Sequence, residues 1–130
     1  MNTTILKNLI LVIAIGLFSQ IAMAQNQGNG VALKQIADIV AGLSHRPSDS
    51  DLTTLNEIIG NSGLAQGVRA MASSVASIEH SANEEGKGAM EAIQSNAQAP
   101  DRARALADII GSFNHSASDD AKAQLAELFP

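Results

Sequence analysis

The sequence predicts an all-α fold of three tandem helical hairpins at a spacing of 35 residues. Three observations predict it. His45, His80 and His115 recur at that interval with matching flanks, apolar residues fall on a 3.6-residue period, and helix-start signals stand at one offset in each copy. No single copy can bury its own apolar stripe, so the copies must stack, as a short α-solenoid or a compact six-helix bundle.

The first segment reads as an address. Lys7 precedes an unbroken apolar run, Leu9–Phe18, and Ala22-Met23-Ala24 follows polar Ser19 and Gln20. Small residues at the last and third-last positions fit a signal peptidase, which places a cleaved signal peptide at residues 1–24. The apolar run falls short of the roughly 20 residues that span a bilayer, so no stable membrane anchor is expected in the mature chain. Polar, glycine-rich Gln25–Gly30 reads as a flexible lead-in. Residues 31–130 then form the repeat domain, with copies at about 31–65, 66–100 and 101–130. The expected destination is the periplasm or the medium outside the cell.

Within each copy the first helix carries Ile36, Ala37, Val40 and Leu43, or Met71, Ala72, Val75 and Ile78, or Leu106, Ala107, Ile110 and Phe113. These lie on one face of a helix. Ala41-Gly42, Ala76-Ser77 and Gly111-Ser112 are small enough for a neighbouring helix to approach closely. The histidine is expected at the carboxyl end of this helix, and Pro47 marks the break after it. Ser48, Asn83 and Ser118 are N-caps for a second helix, followed by acidic Asp49, Glu84 and Asp119 at the positive end of its dipole. Ser48 and Asp51 form a capping box. Leu55, Ile58 and Ile59 and their equivalents face inward. Gly86 and Gly88 predict a short or mobile second helix in the middle copy, each costing about 1 kcal/mol relative to alanine. Asp101, after Pro100, is the expected cap of the third copy's first helix. Leu125, Leu128 and Phe129 either pack on earlier helices or await a partner.

Composition excludes several functions. The 130 residues hold no cysteine, which removes disulfides, thiol chemistry and cysteine-ligated zinc. A net charge of −5 and the absence of Trp and Tyr disfavour nucleic acid and membrane-active roles. Gly-x-Ser-x-Gly, HExxH, Walker and GxGxxG motifs do not occur, so no enzyme activity is expected and no cofactor is implied. The period resembles that of tetratricopeptide and pentatricopeptide repeats, and Pro100-Asp101 matches the start of a pentatricopeptide copy. The aromatic and glycine positions of tetratricopeptide copies are missing, and no functional residue carries over.

The leading expectation is therefore an interaction or scaffold module, with a protein partner or self-association through a face of the first or second helices. The alternative is a metal-binding protein using histidine–carboxylate corners: His45 with Asp49, His80 with Glu84, His115 with Asp119. Asp51, Glu85 and Asp120 stand beside them. Packed helices lie about 8–10 Å apart, so neighbouring histidines can converge on one ion, whereas the first and third, two steps apart, cannot. Repetition favours a structural corner over a metal site, because a hairpin corner must recur. The basic column Lys34, Arg69 and Arg104 is expected to pair with nearby acids.

Overall fold

The computed structural model describes residues 23–130, with side chains from Gly28 onward. It contains six helices: α1 (Met23–Gly42), α2 (Asp49–Ile59), α3 (Gln66–Ala76), α4 (Glu84–Gln94), α5 (Asp101–Gly111) and α6 (Asp119–Leu128). The described residues form no β-strand, only isolated bridge pairings in the turns. Among them, no helix is long and apolar enough to cross a membrane. The apolar run at Leu9–Phe18 and most of the segment 1–24 lie outside the described residues.

The helices form a closed bundle. α1, α3 and α5 touch one another, and α1 also meets α6, so the first and last hairpins are in contact. This closure selects the bundle over the open solenoid. The same helices bury the larger share of the core, with Ile36, Val40, Val68, Met71, Val75, Leu106 and Ile110 all removed from solvent. α2, α4 and α6 form an outer layer that contributes Leu55 and Ile58, Met90 and Ile93, and Leu125. Six-residue connections carry α2 into α3 and α4 into α5 at the end of the bundle away from the histidines.

The second helices start where the capping residues place them. Ser48, Asn83 and Ser118 each accept a backbone N–H two residues into the helix, from Asp51, Gly86 and Ala121. At Ser48 the Asp51 carboxylate closes the reciprocal bond, completing the capping box. Asp101 does not cap α5. Pro100 is the N-cap and makes no side-chain bond, while Asp101 begins the helix and pairs with Arg104. Proline supplies the turn's φ without needing its missing N–H.

Two further expectations are corrected. α1 is continuous through Gln25–Gly30, where the sequence suggested a flexible lead-in. Tertiary contacts support that extra length. Asn29 is only 5% exposed, and its Oδ1 accepts the Ala65 N–H at 2.8 Å, satisfying the start of α3, whose own N-cap offers no side chain. α4 is not short, having the same 11 residues as α2, α3 and α5. Gly86 is buried where α3 approaches, and a Cβ there would meet Ser74 Oγ at 3.3 Å and Asn83 Oδ1 at 3.2 Å. Its absence of side chain serves packing and offsets its poor helix propensity.

The chain's end is covered. Leu125 and Phe129 are buried, Leu128 packs against the core, and the Arg102 guanidinium lies over the Phe129 ring at 5.6 Å.

Gly88 tests the separation of packing from propensity, because nothing lies within 4 Å of a Cβ built there. Gly88→Ala will stabilise the chain by about 1 kcal/mol in urea unfolding. Gly86→Ala will gain less than that or lose stability, as Ser74 and Asn83 must give way.

Candidate functional site: a three-histidine corner

Each helical hairpin is joined by a turn that centres on a histidine. His45, His80 and His115 lie beyond the ends of α1, α3 and α5, not within them. All three adopt left-handed backbone, with φ of 67°, 69° and 66°, and they are the described residues other than glycine with positive φ. An L-residue there places its Cβ against the following carbonyl, at a cost of roughly 1–2 kcal/mol. At two corners the chain closes a γ-turn, with Arg46 N–H donating to Ser44 C=O at 2.8 Å and Ser116 N–H to Asn114 C=O at 2.7 Å. The γ-turn with positive φ is rare and strained.

The left-handed conformation directs each histidine's backbone toward the other two. His45 N–H donates to His115 C=O at 2.6 Å, His80 N–H to His45 C=O at 2.6 Å, and His115 N–H to His80 C=O at 2.5 Å. The three bonds form a closed cycle. Every histidine gives one hydrogen bond and receives one, so the backbone groups where the hairpins meet are satisfied by one another. Leu43, Ile78 and Phe113, two residues before the histidines in the chain, are buried.

The imidazoles gather on the outer side. Ring centroids are 5.1 Å apart for His45 and His80, 5.0 Å for His80 and His115, and 5.4 Å for His45 and His115. Each ring offers a nitrogen within 4.8 Å of the others, and all three residues are exposed. The expectation that the first and third histidines stay apart is thus overturned. A linear stack separates them by two steps, whereas a closed ring makes every pair neighbours.

The rings are oriented by their chain neighbours. Asn114 Oδ1 lies 2.6 Å from His115 Nδ1. In the tautomer with its hydrogen on Nδ1, the ring donates to this amide oxygen and leaves Nε2 to ligate. Ser44 Oγ stands 3.1 Å from His45 Nδ1 in the matching position. Glu79 is the corresponding neighbour of His80. A partner on one ring nitrogen leaves the other free to ligate.

Among the described residues, the group of converging donors comprises the histidines without Asp49, Glu84 or Asp119. Those carboxylates begin α2, α4 and α6, where they complement the helix dipoles. With Asp51, Glu79, Glu85 and Asp120 they give this end of the bundle an acidic border that outweighs Arg46, Lys87 and Lys122. The border attracts cations to the histidine face. In the basic column Lys34 pairs with Asp38 at 3.2 Å and Arg104 with Asp101, as expected, whereas Arg69 makes no ion pair among the described residues and its buried Nε has no hydrogen-bond partner.

One signal for the corner was present in the sequence. Histidine, with Asn and Asp, is enriched at positive φ, and each histidine sits just after a helix and before an N-cap. Comparison with protein-family models, curated proteins and solved structures gives no match.

The strained corner has a direct test. In the presence of a chelator, His115→Gly will be more stable than His115→Ala by about 1 kcal/mol in chemical unfolding, because glycine adopts positive φ without the Cβ penalty.

Proposed function

We propose that this protein binds a divalent transition-metal ion through His45, His80 and His115. One observation carries the reading: three histidines spaced 35 residues apart in the chain bring donor nitrogens within 4.8 Å of one another on one exposed face. The backbone strengthens it. A corner needed only to turn the chain would be less strained with glycine, and an imidazole stands at all three.

Neutral imidazole is the donor suited to zinc, nickel, cobalt and copper(II), and three imidazoles make up the protein ligand set of open zinc sites. Ligand bonds of about 2.0–2.1 Å in tetrahedral geometry require nitrogens about 3.3 Å apart. The rings must therefore draw together. Being exposed, they do so by side-chain rotation without repacking the core.

The finer architecture fits this role: three copies of one 35-residue hairpin, each supplying one ligand and each cyclically equivalent to the others. The pattern at Leu9–Phe18 and Ala22-Met23-Ala24 supports export to the periplasm or the medium, where the histidines meet metal ions outside the cytoplasm. Metal binding ranks ahead of the scaffold role. The apolar faces of α1, α3 and α5 are consumed by the core, and the exposed large hydrophobic residue among those described is Val31. We assign no catalytic step.

Calorimetric titration with Zn²⁺, Ni²⁺ and Cu²⁺ tests the proposal. The expected result is one ion per chain, with affinity lowered at least about tenfold in His80→Gly, which keeps the corner's backbone while removing a ligand. Affinity will also fall as the solution is acidified, since protons compete for the same nitrogens. Failure of all three ions to bind, or equal affinity in His80→Gly, sinks the reading.

A further inference from the structure

We infer that the cargo of this site is a metal ion that still carries a small chelating ligand, so that a neutral or cationic metal chelate is bound as a unit. The inference rests on the metal-binding reading and adds the chemical class of what is bound.

The site is one-sided. The three histidines are joined by their backbone bonds and exposed, and the residues two before each are buried, so an ion approaches from the solvent side. Their ligating nitrogens, all within 4.8 Å of one another, would take adjacent positions around a bound ion. The nearest recurrent carboxylates, those of Asp49, Glu84 and Asp119, are not among the converging donors. The outward face must be completed by ligands from solution. For a six-coordinate ion such as nickel(II), three adjacent positions are open, the set that a tridentate amino-dicarboxylate or amino-acid chelator fills. The chelator need not be stripped before binding, because protein and chelator take opposite faces.

Charge narrows the class further. Carboxylates of Asp49, Asp51, Glu79, Glu84, Glu85, Asp119 and Asp120 predominate around the histidines. They favour a cationic or neutral complex and oppose an anionic one. The same border disfavours a second copy of the chain as the outer ligand, since two acidic faces would then oppose each other.

The test uses nickel(II) iminodiacetate, a neutral complex with three open positions, beside Ni²⁺ alone and anionic nickel(II) nitrilotriacetate, which leaves two positions open. Native mass spectrometry will give a ternary species of one chain, one nickel and one iminodiacetate. By calorimetry its affinity will lie within about tenfold of that for Ni²⁺ alone, and nitrilotriacetate will weaken nickel binding by more than about tenfold relative to iminodiacetate. His45→Gly, His80→Gly and His115→Gly will each weaken nickel iminodiacetate binding at least about tenfold. Circular dichroism verifies that each variant is folded, and binding by any two folded variants decides the outcome if the third unfolds. Removal of nickel by iminodiacetate without a ternary species overturns the inference while leaving simple metal binding intact. A species of two chains and one nickel also overturns it and identifies a second copy as the outer ligand. If Ni²⁺ alone does not bind, the underlying reading fails and this inference with it.

Discussion

The structure depends on a cycle of three backbone hydrogen bonds between His45, His80 and His115. Each bond joins a different pair of hairpins, so the cycle ties together segments that are far apart in the chain. A left-handed residue at each corner makes it feasible, since it turns both the N–H and the C=O toward the axis. The conformational cost at each histidine is small against the apolar burial that closure permits. Closure lets α1 meet α3, α5 and α6, which gives the bundle an interior instead of an exposed terminal face.

The same end of the molecule gathers two kinds of charge interaction. Helix α1, α3 and α5 end there and α2, α4 and α6 begin there, so acidic residues accumulate at the helix starts for reasons of local stability. The imidazoles stand inside that acidic border. Charges that serve the dipoles thus also favour a cation at the histidines. Two of the rings, His45 and His115, meet side chains one residue away, Ser44 and Asn114, so local sequence contributes to how they are held.

Packing explains the departures from local propensity. Gly86 sits in a helix that alanine would favour by local propensity, yet α3 approaches so closely that a methyl group there would crowd Ser74. Asn29 is a polar residue in a segment with a loop-like composition, and it is buried with its Oδ1 accepting the N–H of Ala65, the N-cap of α3. In both places a distant segment sets the requirement. Residue-by-residue reading of the chain has no access to it.

The helices, their order, the capping residues and the interval between corners follow from the sequence, because they depend on contacts within a few residues. Ser48, Asn83 and Ser118 are examples: hydroxyl or amide, acidic residue and apolar period stand side by side in the chain. The histidines were legible as a recurring set, and their convergence was not. Spacing along a chain gives the repeat of a unit but not the angle between successive units, and a row and a ring share the same period. That angle is set by side-chain volumes at interfaces between helices and by the handedness of three turns. The tertiary structure alone decided that His45 meets His115, and with it that three similar corners form one cluster.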